Sequence, residues 1–276
     1  MFTLNCKGRL LVAENPLVMG IINITPDSFY AASRKEHPGE VLRQAAQMLE
    51  EGADILDIGA QSTRPGSRLL TAEEELNRMQ GAVATIRKNF PLAILSVDTF
   101  YSRVATAAVE AGADIINDIS GGSLDPQMLE TIAALKVPYV CMHMQGTPQT
   151  MQQNPVYEDV VKEVLGELNQ KLIACKKAGI HDVILDPGFG FGKTIRHNFQ
   201  LLKQLRVLGI LDAPLLVGLS RKATIYKTLD TTAEQALNGT TVLNTIALQN
   251  GASILRVHDV KEAREAVQLF TACNNA

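Results

Sequence analysis

Eight short apolar runs recur along the whole chain, and nearly every one ends on a polar residue or a glycine. They are Leu17–Ile22 before Asn23, Asp54–Ile58 before Gly59, Leu92–Val97 before Asp98 and Asp114–Ile116 before Asn117. Pro138–Met142 precedes His143, Val183–Leu185 precedes Asp186, Pro214–Val217 precedes Gly218, and Ser253–Val257 precedes His258. The runs are rich in Val, Ile and Leu and lack the polar alternation of a half-exposed strand, as suits a parallel sheet covered on both faces. Segments of helical periodicity separate them, so the chain reads as eight strand–helix units. That pattern predicts an α/β fold, a (β/α)8 TIM barrel with an N-terminal β-hairpin. In such a barrel the carboxyl ends of the strands form one face, and the chemistry lies there. Asn23, Asp98, Asn117, Asp186, Lys222, Arg256 and His258 should gather on it, a polar ring suited to a nitrogen-rich, anionic ligand.

Local signals agree with this layout. Residues 2–12 read as a hairpin turning at Lys7-Gly8, placed to cover the amino end of the barrel. Helices are expected over 40–51, 71–89, 101–112, 126–136, 156–179, 197–208, 233–250 and 260–271. Thr71 with Glu74 is a capping box, and Asp125-Pro126 reads as an N-cap followed by a first-turn proline. Gly52, Gly112, Gly179 and Gly251 close helices and lead into strands. Three of those junctions are nearly one phrase (EGADIL, EAGADII, NGASIL), although the identity is too short to be a sequence repeat. Three connections on the catalytic face are long: Ile24 to about Gly39, Ala60 to Leu70, and Gln145 to Asn154. Loops of that length on a compact barrel are usually lids or binding loops. No break in composition suggests a second domain, so residues 1–276 are expected to form one.

Charge and cysteine usage exclude several classes. Lys and Arg number 26 against 29 Asp and Glu, a net charge of −3 that offers neither a broad basic surface for nucleic acid nor a polybasic membrane patch. Phosphate binding must therefore be local. The first residues lack the pattern of a signal peptide, and no apolar run approaches the roughly 18 residues of a membrane span. Cys6, Cys141, Cys175 and Cys273 are far apart, without metal-finger or CxxC spacing, as expected of free thiols in a cytoplasmic protein. Gly190-Phe-Gly-Lys-Thr194 looks like the end of a phosphate-binding P-loop, but Pro187 stands where that motif needs glycine.

The strand ends carry motifs in a fixed order. Asn23-Ile-Thr-Pro-Asp-Ser-Phe follows the first run, Ser62-Thr-Arg-Pro-Gly66 the second, and Val97-Asp-Thr99 ends the third. Asn117-Asp-Ile-Ser-Gly121, Met142-His-Met-Gln-Gly146, Asp186-Pro-Gly-Phe-Gly-Phe-Gly-Lys193, Ser220-Arg-Lys222 and Arg256-Val-His258 complete the set. Together these resemble the dihydropteroate synthases, enzymes of folate biosynthesis inhibited by sulfonamides, over essentially the whole chain. The resemblance implies condensation of 6-hydroxymethyl-7,8-dihydropterin diphosphate with p-aminobenzoate, giving 7,8-dihydropteroate and pyrophosphate. It implies that Asp98, Asn117, Met142, Asp186, Phe191, Gly218, Lys222 and Arg256 hold the pterin, with Asp98, Lys222, Arg256 and His258 catalytic. A carboxylate can accept two adjacent N–H groups of an aminopyrimidinone edge, and an Asn supplies both donor and acceptor. By the same resemblance Thr63, Arg64, Pro65 and Lys222 receive p-aminobenzoate, and Asn23, Arg64, Arg256 and His258 the pyrophosphate. Asn23 is also the implied Mg²⁺ residue, with phosphate and water as the other ligands. The first loop, with Thr25, Asp27 and Phe29, is implied to close over the site, and the enzyme to be a homodimer through helices late in the barrel.

Some positions depart from the family pattern: DSFYAASR in the first loop, Gln61 where Glu is common, and Ala223 where Ser is frequent. Two other readings stand beside the synthase. A methyltetrahydrofolate-binding methyltransferase domain shares the barrel and pterin pocket, but should lack the STRPG loop, Lys222 and the Arg-x-His pair, and usually needs a cobalamin partner. A non-catalytic pterin-binding paralogue would draw its only support from the altered first loop.

Overall fold

The computed structural model describes residues 1–24, 38–61 and 69–276. Strands β1 (Phe2–Cys6) and β2 (Arg9–Ala13) pair antiparallel with Cys6 opposite Arg9. Lys7 and Gly8 turn between them at φ 54° and 84°, the mirror-image turn whose twist matches the flanking strands. Then follow β3 (Leu17–Asn23), α1 (Pro38–Glu50), β4 (Ile55–Gly59), α2 (Ala72–Asn89), β5 (Ile94–Asp98) and α3 (Ser102–Glu110). The chain continues through β6 (Ile115–Asp118), α4 (Met128–Leu135), β7 (Tyr139–Met142), α5 (Val160–Ala178), β8 (Val183–Asp186) and α6 (Ile195–Lys203). A 3-10 turn at Leu205–Leu211, β9 (Leu216–Val217), α7 (Ala223–Tyr226), α8 (Leu237–Gln249), β10 (Ile254–Val257) and α9 (Val260–Asn274) complete it. Strands β3 to β10 form one parallel sheet in the order β8-β7-β6-β5-β4-β3-β10-β9. The bridge Leu185–Leu215 joins its two ends, so the sheet closes as the expected barrel.

Alternation along each strand sorts the side chains. One set packs outward against the helices, as Val18, Leu56, Leu95, Ile116 and Leu255 do. The other set fills the barrel in layers. The lower layer is apolar: Met19, Ile55, Ile94, Ile115, Val140, Ile184, Leu216 and Ile254. Leu4, Cys6 and Ala13 of the hairpin join that cluster, so the hairpin plugs the amino end. Two residues further along each strand the same inward positions are Ile21, Asp57, Ser96, Asn117, Met142, Asp186, Gly218 and Arg256. The barrel thus changes from hydrocarbon to charge within one layer.

Most helices begin near their predicted starts. The capping box is present, with Glu74 N donating to Thr71 Oγ1 at 3.2 Å and Thr71 N to Glu74 Oε2 at 2.8 Å. Three starts move inward, to Met128, Val160 and Leu237, the first two for a visible reason. Helix α4 starts at Met128 rather than after Asp125, because the Asp125 carboxylate accepts from Gln127 N and from Ser102 N of α3. Helix α5 starts at Val160, where Asp159 supplies the cap by accepting from Val161 N and Lys162 N. No helix among the described residues is long and apolar enough to cross a membrane.

The plug can be tested directly. Truncating Leu4→Ala removes a buried side chain from the barrel floor and should lower the unfolding free energy by about 2–5 kcal/mol. Leu10→Ala, exposed on the same hairpin, should stay within about 0.5 kcal/mol of the parent. Urea denaturation of the two variants makes the comparison.

Candidate active site

Asp57 anchors the polar layer from the middle of β4, fully buried. Its Oδ1 accepts from Ser96 Oγ at 2.6 Å, and its Oδ2 accepts from Asn117 Nδ2 at 3.0 Å and Arg256 Nε at 2.7 Å. Arg256 reaches on with Nη2 to Asp98 Oδ2 at 2.8 Å. One guanidinium therefore lies between two carboxylates from different strands. Burial works against its charge, but Asp57 and Asp98 raise its pKa further, so it stays a cation. Burial pushes the Asp98 carboxyl up; Arg256 opposes the shift, and the neighbouring Asp57, Glu75 and Asp118 reinforce it. Asn117, held through its amide nitrogen, has no acceptor role for Oδ1 among the described residues.

On the other side of the barrel Asp186 Oδ1 accepts from Gly188 N at 2.7 Å, fixing its carboxylate at the end of β8. Burial raises its pKa against the pull of Lys222. Lys222 donates to Phe189 O at 2.5 Å and stands 4.7 Å from the centroid of the Phe191 ring. Burial brings its pKa down to about 8, with Arg256 adding to the shift and Asp186 and Asp98 resisting it. Gly218 lies beside both cations, a Cβ built there coming into ordinary contact with Lys222 Nζ and the Cβ of Arg256. Met142, Phe191, Phe100, Ile119, Met144 and Met151 form a separate apolar cluster, the greasy wall beside these charges.

His258 lies one residue past β10, with its backbone N and Nδ1 both on Ser220 Oγ, at 3.2 and 3.0 Å. Partial burial of the imidazole and the Arg256 charge lower its pKa to about 4, so it is neutral at pH 7 although the residue keeps a solvent-open edge. Asp259 is engaged elsewhere, clasped at both oxygens by Arg221 at 2.9 and 2.7 Å. Asn23 ends β3 on the same face and is exposed. Thr63, Arg64 and Pro65, and the first-loop Thr25, Asp27 and Phe29, lie outside the described residues.

Gln61 has a local explanation. Its Nε2 donates to Leu70 O at 3.1 Å and to Glu75 Oε2 at 2.8 Å, while its Oε1 accepts from Leu70 N at 3.0 Å. It ties together the chain on either side of residues 62–68. Glu75 is fully buried, and burial raises its pKa to about 7. A second carboxylate at 61 would face it without a donor, whereas the amide supplies one.

Asp57 and Ser96 were not singled out from sequence. The signal was there: each is a polar residue inside an otherwise apolar strand, at the position two before a strand end. Asp118, inside the Asn117 motif, is structural instead, accepting from Tyr139 Oη, Ser120 N and Gly122 N. Within the Asp186 motif one glycine has a steric reason. Gly188, at φ 68°, is pressed so close to the His143 carbonyl that a Cβ would collide with it.

A closed parallel barrel with a convergent charged layer at its carboxyl mouth defines a barrel enzyme acting on a small polar ligand. A family profile described as "Pterin binding enzyme" matches residues 19–258. The chain is 43% identical to the dihydropteroate synthase of Haemophilus influenzae over 275 residues, covering 99% of each. The crystal structure of the Yersinia pestis dihydropteroate synthase with a sulfonamide drug superposes with a TM-score of 0.92 at 40% identity, covering 99% of each chain. That of the Xanthomonas albilineans enzyme with 7,8-dihydropteroate gives 0.88 at 38% identity over 100% of each. The chain belongs to the dihydropteroate synthases, transferases of folate biosynthesis within the pterin-binding enzymes.

The buried anchor makes a prediction. Asp57→Asn keeps the size of the side chain but removes the charge facing Arg256. We expect turnover to fall by about 10- to 100-fold, as for loss of a residue that orients a functional group, with circular dichroism unchanged. Steady-state kinetics of the variant checks it.

Proposed function

We propose that the chain joins 6-hydroxymethyl-7,8-dihydropterin diphosphate to p-aminobenzoate by a dissociative displacement at the mouth of the barrel. The observation carrying this reading is the cluster of Asp98, Asn117, Asp186, Lys222 and Arg256 above an apolar floor. Asp186 and Asn117 would take the N–H and acceptor edge of the pterin, with Met142, Phe191 and Gly218 against its ring. Arg256, with its Nη1 free of hydrogen bonds among the described residues, would meet both the ring and the departing diphosphate. His258, neutral at pH 7, would donate from its imidazole to the pyrophosphate. The C–O bond to the diphosphate breaks first, and Asp98 offsets the positive charge left on the pterin methylene. The arylamine nitrogen then forms the new C–N bond and releases a proton, which pyrophosphate takes up. Lys222 and the segment carrying Thr63, Arg64 and Pro65 would orient p-aminobenzoate. Sulfonamide inhibitors would compete for that place, as the drug-bound Yersinia pestis relative suggests.

The residues fit a Mg²⁺ that arrives with the substrate. Asn23 offers one neutral oxygen at an exposed strand end, and among the described residues no group of three His, Cys, Asp or Glu could hold a metal alone. When bound, Mg²⁺ supplies neutralising charge to the diphosphate. We further infer a cytoplasmic homodimer. Its support is the set of free cysteines and the apolar side chains exposed beside the last helices: Ile210, Val242 and Leu269.

Pyrophosphate release should require the pterin diphosphate, Mg²⁺ and p-aminobenzoate together, and chelation should abolish it. Binding of pterin without release would favour the non-catalytic paralogue. Because the Lys222 ammonium is present below about 8 and lost above it, kcat/KM should fall as pH rises through that value. In Lys222→Met the rate should be low throughout and that limb absent. For the dimer, Val242→Glu should shift the mass measured by light scattering from two chains to one.

A further inference from the structure

Behind the proposed pterin pocket lies a second polar chain that the reaction above does not use. Lys193 closes the Asp186 motif and is only 2% exposed. Its Nζ has three acceptors: Gly188 O at 3.0 Å, Phe191 O at 3.1 Å and His143 Nδ1 at 2.8 Å. Three acceptors match the three donors of an ammonium. With Lys193 donating, His143 Nδ1 must accept, which leaves the proton on Nε2. That nitrogen stands 3.2 Å from Glu167 Oε2, and Glu167 Oε1 is 3.1 Å from Lys171 Nζ on the same helix, α5. Lys171 ends the chain on the carbonyls of Ser120 and Met142.

The segment that Lys193 grips has no regular secondary structure. Gly188, Gly190 and Gly192 all have positive φ and form neither helix nor strand. Yet this segment seats Lys222, through the Phe189 carbonyl and the Phe191 ring, and orients Asp186 through Gly188 N. We propose that Lys193 is a positioning residue for the pterin subsite: its ammonium gathers the Gly188 and Phe191 carbonyls and so holds Lys222 in place, with His143 and Glu167 bracing it from behind. The proposal rests on the pterin reading of the pocket. A buried ammonium is costly unless it is fully bonded, and the complete set of acceptors is what makes this one tolerable.

Electrostatics give the arrangement a readout. Burial lowers the Lys193 pKa to about 7, with Lys222 and Lys171 adding to the shift and Asp186 and Glu167 resisting it. His197 of α6 also faces it. Burial opposes the Glu167 charge, but His143 and Lys171 outweigh it and bring that pKa to about 2, so the brace stays anionic. The gripping ammonium is therefore present below about pH 7 and is lost above it. A neutral amine has one donor fewer, and the grip loosens.

The test is equilibrium titration with the pterin diphosphate, followed by pterin fluorescence. In the parent, Kd should rise between pH 6 and 7.5. In Lys193→Met it should already be raised at pH 6, by about tenfold, and rise less than the parent's over that range. In a Lys222→Met background the same substitution should add less than about twofold, because the effect runs through Lys222. Glu167→Gln, at the half-exposed end of the chain, should weaken binding in the same direction by about two- to fivefold, on the order of one ordinary hydrogen bond. A parent-like Kd and pH profile in folded Lys193→Met, or full additivity with Lys222→Met, overturns the proposal. If Lys193→Met does not fold, Glu167→Gln decides, and an unchanged Kd there overturns it. A parent that binds no pterin at all refutes the pocket assignment itself, and the proposal with it.

Discussion

The architecture depends on one guanidinium lodged between two carboxylates. Arg256 comes from the last strand of the barrel, Asp57 from the second and Asp98 from the third. The pairing spans the barrel interior just above a floor of isoleucine, leucine, valine and methionine. Breaking such a buried pair by removing one partner costs about 3–5 kcal/mol, so each member constrains the others. Asp57 does more than balance charge. It takes three donors on two oxygens, and those donors belong to Ser96, Asn117 and Arg256 on three further strands. A ligand at the mouth therefore meets groups that are already aimed.

The two halves of the mouth are tuned in opposite senses by the same cause. Removal from water raises Asp98 and Asp186 and lowers Lys222 and Lys193. Asp98, Lys193 and Lys222, fully ionised in solution, are brought near pH 7, where proton position responds to the arrival of a charged ligand. Arg256 escapes this because its partners are close and both negative. The site thus combines one fixed cation with several adjustable charges, a useful division where charge moves from a diphosphate ester to free pyrophosphate.

The barrel was legible in the sequence because its signals are local and repeated: apolar runs, glycine helix ends, and a polar residue after each run. The candidate site was legible because strand ends are where such a barrel collects its chemistry. Asp57 and Ser96 escaped notice because an inward-facing polar residue in mid-strand looks like an interruption until its partners, distant in sequence, are known. Lys193 was passed over for a related reason. It closes a failed phosphate-loop match, and only the closed barrel brings His143 and Glu167 to it. Helix starts moved inward at Met128 and Val160 because aspartate side chains, competing for backbone donors, decide where the first turn begins. The departure at Gln61 acquired a reason only once Glu75 was found buried against it.

The hairpin plug also bears on how the chain reaches this state. Leu4, Cys6 and Ala13 complete a cluster that includes Ile254, from the last strand of the barrel. Residues of the hairpin must therefore wait for a strand made far later in synthesis. Contacts so distant in sequence form slowly, since loop closure must precede any gain from them. Until β10 arrives, the inner face of the hairpin and the lower barrel layer lack their final cover. Such exposed apolar surface is where chaperones bind or aggregation begins.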